Sequence, residues 1–295
     1  MACLPWWVAD GAMATGAAAG ISGKGRVRAD LKIAVVFFGI TRALRLTLPS
    51  ITAQLIDPAR AIAREIRLCG HFFRQTGISN PRSGEVGELD PEEYRLLNLD
   101  AVELEDPGAC LDLYPMDQMQ ARGDIWRDDF ASFRNLVHQL HSLKRATLLA
   151  EGFQPDIVIF ARPDLLYHDS AAEHLDLLAR AHRSFVLVPD WAQWFGHNDR
   201  FALVKGAEGV AAYGRRADRM GEYCARGKRL HSERFLKYAL GGQRVRTMHM
   251  RASRVRASGL QVLEDFTPGR GPMGRRELVA PGTIRPEAPA MAQSA

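Results

Sequence analysis

Four short clusters of polar and aromatic residues have the types and spacing that chemistry requires. The first follows an apolar run and contains Gly39, Thr41 and Arg42, with Arg45 one helical turn further on. Glycine lets backbone approach a ligand, and the free N–H groups at a helix start attract an anion. Thr41 could bond a phosphate or cap the helix. The alternative is an ordinary strand-to-helix turn with two surface arginines, because neither a GxGxxG nor a GxxxxGK[ST] motif is present.

The second cluster, Arg162-Pro163-Asp164, directly follows the apolar run DIVIFA. Pro163 fixes its own φ and stiffens the turn, so we expect Asp164 to project from the end of a strand. A carboxylate there can hold a divalent cation or bond a sugar hydroxyl, and Arg162 can bind phosphate directly. The alternative is a structural ion pair between Arg162 and Asp164.

The third cluster combines two indoles with polar side chains in the segment WAQWFGHNDR. Trp191 and Trp194 offer flat surfaces on which a sugar ring can stack. Asn198, Asp199 and Arg200 supply the donors and acceptors that hydroxyl groups need. The alternative is that the two tryptophans are anchors of the core and that Asp199 pairs with Arg200.

The fourth cluster, His231-Ser232-Glu233, opens a predicted helix. The imidazole of His231 or the carboxylate of Glu233 could take a proton from an attacking hydroxyl group. The alternative is that Ser232 caps the helix and Glu233 interacts with its dipole.

Hydrophobic periodicity predicts the elements that must position these clusters. Short β-type runs alternate with helical patterns, which is typical of an α/β sandwich with a mostly parallel sheet. Ligands of such sheets bind beyond the carboxyl ends of the strands, where the first three clusters lie. The predicted strands are residues 32–38, 65–73, 101–104, 156–161, 184–188 and 200–205, and the predicted helices are residues 42–55, 130–150, 171–181, 207–226 and 231–240.

Composition and charge limit the class of protein. The chain has 295 residues, 46% hydrophobic and 25% charged, which excludes a largely disordered or collagen-like protein. We predict a disordered leader over residues 1–30, one folded domain over 31–266 and a disordered tail over 267–295. The net charge of +5 comes from the last 55 residues, which hold nine arginines and four acids. The balanced remainder speaks against a nucleic-acid partner. Arginines between 244 and 256 alternate with apolar residues, as in a strand; we expect most of them at the surface and some at the diphosphate end of the cleft.

Cysteine spacing and hydropathy indicate the compartment. Cys3, Cys69, Cys110 and Cys224 form no CxxC pair, which favours free thiols in a reducing cytoplasm. The longest apolar run, residues 33–38, is far shorter than the roughly 20 residues of a membrane-spanning helix. We therefore predict a cytoplasmic protein without a transmembrane segment, or one bound peripherally at the inner membrane face.

The order of several motifs resembles a bacterial glycosyltransferase-like family of the GT-A type. The run SFRNLVHQLHSLKRATLLAEGFQPDIVIFARPDLLYHD (residues 132–169) is similar to its centre, where a helix precedes a strand ending in R-x-D. The likeness continues in VPDWAQWFGHNDRFALVKGAEGVAAY (188–213) and in HSERFLKYAL (231–240), and KIAVVFFGITR fits the nucleotide-binding first strand. Together these motifs cover residues 32–250. Arg162 stands where many GT-A enzymes carry the first aspartate of D-x-D, which leaves one carboxylate.

The resemblance implies a GT-A-like (Rossmann-like) sandwich that moves a sugar from a nucleoside-diphosphate sugar to a hydroxyl acceptor. The acceptor would be a glycan or glycolipid, such as a surface polysaccharide or lipopolysaccharide precursor. The first two clusters would bind the donor, with Asp164 as the candidate ligand of Mn²⁺ or Mg²⁺. Trp191, Trp194, Asn198 and Arg200 would bind the sugar or the acceptor, and Glu233, His231 and Asp199 are the catalytic candidates. The alternative is a non-catalytic sugar- or nucleotide-binding protein on the same fold, which Arg162 favours.

Overall fold

Strand β1 (Lys32–Gly39) lies in the middle of a seven-stranded sheet, because its apolar side chains need cover on both faces. Ile33, Val35 and Phe37 pack into one hydrophobic cluster, and Val36 and Phe38 pack into a second cluster on the opposite face. The computed structural model describes residues 30–269 and 277–284.

The remaining strands and the helices follow in chain order. The strands are β2 (Glu65–Phe73), β3 (Gly77–Asn80), β4 (Glu85–Glu88), β5 (Ala101–Glu105), β6 (Ile157–Ala161), β7 (Leu165–Tyr167), β8 (Phe185–Pro189), β9 (Ala202–Lys205), β10 (Val245–Met248), β11 (Ala252–Arg254), β12 (Gln261–Val262) and β13 (Leu278–Val279). The helices are α1 (Leu44–Ile51), α2 (Asp57–Ile62), α3 (Met116–Gln120), α4 (Ala131–Glu151), α5 (Ala172–Arg180), α6 (Ala207–Gly214), α7 (Met220–Ala225) and α8 (Ser232–Ala239).

The main sheet has the strand order β10-β8-β9-β6-β1-β2-β5. Strand β1 pairs in parallel with β2 and β6, β2 with β5, and β10 with β8. Strand β9 runs antiparallel to both of its neighbours. The carboxyl ends of the six parallel strands therefore meet at one edge of the sheet, and the loops at that edge are close in space.

Helices cover both faces of the sheet. One hydrophobic cluster joins β1 and β6 to residues of α1, α2 and α5. A second joins the other face of these strands to α4, α6 and α8. A third cluster lies among α3, α4, α7 and α8. This arrangement confirms the prediction of an α/β fold with a mostly parallel central sheet.

The predicted elements of the sheet are close to the observed ones, and two helices differ from prediction. The helix predicted to end at residue 55 continues through a wider turn, Thr52–Ile56, into α2. The helix predicted over 207–226 is interrupted after α6 by a tighter turn, Arg216–Arg219, before α7. The β3–β4 hairpin was not predicted, since its four-residue strands are polar and half exposed.

Several expectations concern the ends of the chain and the compartment. The leader predicted over residues 1–30 lies, except for its last residue, outside the described residues. Within the predicted tail, Leu278–Val279 pairs antiparallel with Gln261–Val262 as β13 and β12. Cys69, Cys110 and Cys224 are buried free thiols. Among the described residues, no helix is both long and apolar enough to cross a bilayer.

Candidate active site

The turn after β1 buries the side chain of Arg42 and leaves the side chain of Arg45 exposed. Ala43, just before α1, adopts a left-handed conformation with φ of 56°. Arg42 is buried and donates from Nη1 to Oε2 of Glu85 at 2.6 Å and from Nη2 to Oδ2 of Asp164 at 2.7 Å. The Arg45 side chain is 69% exposed. The two arginines of the first cluster therefore face different surroundings.

Gly39 and Thr41 differ from their predicted roles. Gly39 has φ of 98°, which other residues rarely adopt, and its N–H donates to Oγ of Ser142 at 3.0 Å. This N–H is therefore already bonded within the protein. Thr41 does not cap α1, because Ala43 occupies the cap position and no side chain caps this helix.

Asp164 is fully buried between two guanidinium groups. Arg162 donates from Nε to Oδ1 at 2.9 Å and from Nη2 to Oδ2 at 2.8 Å, and Arg42 adds its bond to Oδ2. Burial alone raises the pKa of Asp164, but Arg162 and Arg42 outweigh it and hold the pKa well below its usual range. The structural ion pair between Arg162 and Asp164, which the sequence offered as the alternative, is thus present, and Arg42 is its third member.

The residues around Asp164 do not fit the predicted Mn²⁺ or Mg²⁺ ion. Both carboxylate oxygens of Asp164 accept hydrogen bonds from arginines, and the side chain has no exposed surface. A cation would have to displace Arg42 or Arg162 and would be repelled by the other. The positive charge next to Asp164, after the end of β6, is therefore that of Arg42 and Arg162.

A second arginine joins Arg42 on the hairpin side of the site. Arg256 is buried and donates from Nη1 to Oε2 of Glu85 at 2.9 Å, the same oxygen that Arg42 contacts. Burial lowers the pKa of Arg256 to about 10, and the neighbouring charges of Arg254 and Arg42 act in the same direction. Positive charge is therefore concentrated here beyond what Glu85 neutralises. Of the arginines between 244 and 256, Arg244 and Arg246 are exposed, whereas Arg256 is buried and Arg254 is mostly buried.

Arg200 belongs to a buried ion cluster centred on Glu264. Nη1 and Nη2 of Arg200 lie 3.0 and 3.1 Å from the Glu264 carboxylate oxygens, and Arg254 donates to Oε1 of Glu264 at 3.1 Å. The guanidinium of Arg200 also lies over the Trp191 ring, 4.6 Å from its centroid. These contacts join the segment before β9, the end of β11 and the segment after β12.

Trp191 is a core residue, which corrects its predicted role as a sugar platform. The side chain has no exposed surface, and Nε1 donates to the carbonyl oxygen of Met250 at 2.9 Å. Asn198 is also structural, because its amide donates to the carbonyl of Trp191 at 2.7 Å and its Oδ1 accepts from the N–H of Arg200 at 3.0 Å. Trp194 is half-buried against the core.

The loop that carries these residues is tightly fitted to the start of α8. Trp194 and Phe195 have positive φ values of 45° and 67°, a costly conformation for bulky residues. A Cβ atom on Gly196 would lie 1.9 Å from the carbonyl oxygen of Glu233, so only glycine fits. The N–H of His197 donates to the same oxygen at 3.0 Å. The loop is therefore in direct contact with the backbone of Glu233.

Asp199 is connected to Arg162 through Gln139 of α4. Nη1 of Arg162 donates to Oε1 of Gln139 at 2.8 Å, and Nε2 of Gln139 donates to Oδ2 of Asp199 at 3.3 Å. The charge of Arg216 also acts on Asp199. Arg216 is 1% exposed, and its Nε and Nη2 have no hydrogen-bond partner among the described residues. Two predicted clusters thus form one network, and Gln139 and Arg216 are members that sequence reasoning missed.

Two polar side chains at the start of α8 contact the carboxylate of Glu233. Nδ1 of His231 lies 3.1 Å from Oε2 of Glu233, and the Ser232 hydroxyl donates to the same oxygen. The His231 ring stacks on Trp126 with centroids 6.0 Å apart and planes 17° apart. Ser232 does not cap α8, whose cap position is His231 without a side-chain hydrogen bond. The capping alternative therefore does not hold for Ser232.

The charge of Glu233 acts on Asp199, and the pKa values of the two carboxyl groups are shifted in opposite directions. Burial and the nearby Glu233 charge raise the pKa of Asp199, and the arginines around it offset only part of this effect. Burial also raises the pKa of Glu233, but its hydrogen bonds from His231 and Ser232 prevail and lower it. Two carboxyl groups with diverging pKa values can share acid and base roles.

A shallow cavity of about 360 Å³ opens beside Arg42 at the start of α1. Arg45, Glu93 and Gly259 also line it. A second cavity, of about 500 Å³, lies near Arg183 and Arg244 at the opposite edge of the sheet, where β8 and β10 begin. We favour the first cavity as a ligand site, because it adjoins the arginine-rich network at the carboxyl edge.

Among the described residues, three ligand-bearing side chains lie close enough together for a metal ion. His71, Glu105 and His141 each offer a ligand atom, and these atoms lie within 4.8 Å of one another. Sequence reasoning missed this group, because its members come from β2, β5 and α4 and share no motif.

No family model matches the chain, and no curated protein matches it. Solved structures with which it aligns include the apo form of mouse xyloside xylosyltransferase 1, with a TM-score of 0.37 and 12% identity over 74% of this chain and 84% of that one. A putative glucose-1-phosphate thymidylyltransferase from Bacillus anthracis, in complex with sucrose, aligns with a TM-score of 0.35 and 8% identity over 76% of this chain and 89% of that one. The galactosyltransferase LgtC, in complex with donor and acceptor sugar analogues, aligns with a TM-score of 0.35 and 14% identity over 73% and 72%. At these scores, the chemistry of the site has to be argued from its own residues.

Proposed function

We propose that this protein is a glycosyltransferase that moves a sugar from a nucleoside-diphosphate sugar to a hydroxyl acceptor on a GT-A-like fold. The observation that carries the proposal is a single polar network at the carboxyl edge of the sheet. It runs by ion pairs and hydrogen bonds from buried arginines to Asp199, and the charge of Glu233 acts on Asp199 at that end. Departure of a diphosphate requires positive charge, and attack by a hydroxyl group requires a proton acceptor.

The arginine side of the network suits the diphosphate. Arg42 and Arg256 share Glu85, and the charges of Arg42 and Arg254 act on Arg256. An anion next to these groups would relieve their mutual repulsion. Arg45 lies on the same cavity wall and could reach the ligand from outside. These arginines would neutralise the diphosphate, which is the role that the sequence suggested for a cation at Asp164.

The carboxylate side of the network suits the acceptor. The lowered pKa of Glu233 keeps it ionised at neutral pH, so it can accept the hydroxyl proton. Asp199, whose pKa is raised, would stabilise the positive charge that develops on the sugar when ionised. His231 would orient Glu233 through its 3.1 Å contact. Trp194 would contribute a partly open aromatic surface on the adjoining loop.

The acceptor we propose is a glycan or glycolipid, such as a precursor of a surface polysaccharide or lipopolysaccharide. The sequence resemblance supports this class of acceptor. The proposed location is the cytoplasm or the inner face of the membrane, where nucleotide sugars are used. The balance of charge over the first 240 residues argues against a nucleic-acid partner.

The proposal is tested by offering UDP-, GDP- and dTDP-hexoses to the full chain and measuring release of the nucleoside diphosphate. We expect the nucleotide sugars of one nucleotide class to be hydrolysed slowly and to raise the melting temperature of the protein. A ligand present at a concentration of 100 times its Kd adds about 2.7 kcal/mol of stability. Arg42→Ala should weaken nucleotide binding in calorimetry. Arg60→Ala is the control, because Arg60 is exposed on α2 and pairs with Asp57. Failure of every nucleotide to bind would refute the proposal.

One observation favours a second function, a non-catalytic nucleotide- or sugar-binding protein. Asp164 is saturated by Arg162 and Arg42, so this strand end lacks a free carboxylate. The binding protein would show the same rise in melting temperature but no release of nucleoside diphosphate with any donor or acceptor.

A further inference from the structure

The His71–Glu105–His141 group lies at the carboxyl edge of the sheet, under α4 and on the far side of β1 from Asp164. His71 belongs to β2, Glu105 ends β5, and His141 lies in the middle of α4. Nε2 of His71 is 3.6 Å from Oε1 of Glu105, and Nε2 of His141 is 2.9 Å from Oε2. Ligand atoms around a tetrahedral Zn²⁺ ion are separated by roughly 3.3 Å, given bond lengths of about 2.0–2.1 Å.

His71 is the member whose surroundings point to a missing partner. Its side chain has no exposed surface, and neither ring nitrogen makes a hydrogen bond within the described part of the chain. Burying such a polar group without a partner is costly. A metal ion between His71 and Glu105 would satisfy Nε2.

His141 has the second partner that metal-binding histidines usually have. Its Nδ1 lies 3.0 Å from the hydroxyl oxygen of Tyr114, and its Nε2 faces Glu105. A hydrogen bond from Nδ1–H to the hydroxyl leaves the lone pair of Nε2 free for a metal. The Tyr114 hydroxyl therefore orients the ring, and it can accept from Nδ1–H when Nε2 binds a metal.

Glu105 provides the negative charge of the group and the side from which solvent can reach it. Its side chain is 29% exposed, whereas those of His71 and His141 are buried, so solvent reaches the group from this side. Nε of Arg145 lies 3.7 Å from Oε1 of Glu105, but Arg145 makes its hydrogen bonds to Glu103. Oε2, the oxygen nearest His141, is the one away from that contact.

We propose that His71, Glu105 and His141 form a binding site for a divalent transition metal ion of the Zn²⁺ type. Two imidazole nitrogens and one carboxylate oxygen suit Zn²⁺ and Co²⁺, whereas Mg²⁺ and Mn²⁺ prefer oxygen-rich sites. Three protein ligands leave a fourth position for water on the side of Glu105. The ion would link β2, β5 and α4 at the edge of the sheet. The site does not depend on the proposed transferase activity.

The test uses the full chain without a histidine tag, freed of metal by dialysis against a chelator. Zn²⁺ is titrated in competition with a chromogenic chelator, and Co²⁺ binding is followed by its visible d–d absorption. We expect one equivalent of each ion and the intense visible bands of four-coordinate Co²⁺. Glu105→Gln and His141→Gln should each lower the affinity at least tenfold. Glu105 is partly exposed, so the first variant tests the site with little risk to folding.

His138→Gln is the matched control, because His138 lies on the same helix but faces the carbonyl oxygen of Pro107 at 2.7 Å. It should bind both ions as the unchanged chain does. Absence of Co²⁺ bands in the unchanged chain would overturn the proposal, as would unaltered affinity in both Glu105→Gln and His141→Gln. A thiolate charge-transfer band, which would indicate cysteine ligands, would also overturn it.

Discussion

Glu233, which we propose as the proton acceptor, is contacted by His231 and Ser232. Replacing it by glutamine keeps its size and removes its charge. A positioned general base contributes about 10²–10⁴-fold to a rate. We therefore expect Glu233→Gln to lower kcat by about 100-fold or more, while the Kd for the nucleoside diphosphate changes little. Steady-state kinetics and calorimetry measure the two quantities.

The control at the residue scale is His231→Ala. If His231 only orients Glu233, its loss should lower kcat less than Glu233→Gln does and shift the acid limb of the pH profile upward, because the pKa of Glu233 rises without its donor. A helix-dipole role for Glu233 predicts instead a loss of about 1 kcal/mol or less in stability and an unchanged rate. Normal turnover by Glu233→Gln would end its assignment as the base.

At the scale of elements, the loop between β8 and β9 and the start of α8 act as one unit. Gly196 is their contact point, since a Cβ there would overlap the backbone of Glu233 and Arg234. We expect Gly196→Ala to cost about 1–3 kcal/mol, as overpacking does, and to lower kcat by displacing Glu233. Urea unfolding and turnover check this. Gly152→Ala is the control, because its Cβ would lie 3.8 Å from the nearest atom. Full activity in Gly196→Ala would show that the loop does not position Glu233.

At the scale of the whole molecule, Asp164 joins three distant parts of the chain. Through Arg42 it connects the loop after β6 to α1 and, by way of Glu85, to the β3–β4 hairpin. Because its pKa is lowered on folding, its contribution to stability is present above about pH 4 and is lost as the pH falls further. Asp164→Asn leaves two buried arginines without their charge partner and should cost about 3–5 kcal/mol at pH 7.

That difference in the free energy of unfolding should narrow as the pH is lowered from 7 to about 3, because below about pH 4 the unfolded form of the unchanged chain binds a proton at Asp164 while the folded form keeps the carboxylate ionised. Urea unfolding at several pH values measures it. The control is Asp57→Asn, since the ion pair of Asp57 with Arg60 is exposed and contributes little. A difference that stayed constant with pH would show that Asp164 acts through its shape and not through its charge.

The alternation of apolar residues was enough to predict much of this fold. In β1 every residue after Lys32 is apolar or glycine, every residue of β6 is apolar, and both strands are buried on both faces as predicted. Helix α4 was predicted within one residue at each end, because its apolar residues recur at helical spacing and Gly152 follows its last turn. These signals are local, so they can be read without knowing which parts of the chain meet. From the same signals we predicted chemistry in the loops after β1, β6 and β8.

Only the tertiary structure decided what those loops do. Arg42 and Asp164 are 122 residues apart in sequence, and their ion pair closes the strand end that looked like a cation site. The sequence suggested Trp191 as a surface on which a sugar ring could stack, but in the structure it is buried in the core and packs against Phe266. His71, Glu105 and His141 come together because β2 and β5 are neighbours beneath α4. The reason is physical: periodicity is a property of one segment, whereas burial and charge partners depend on every segment packed around a side chain.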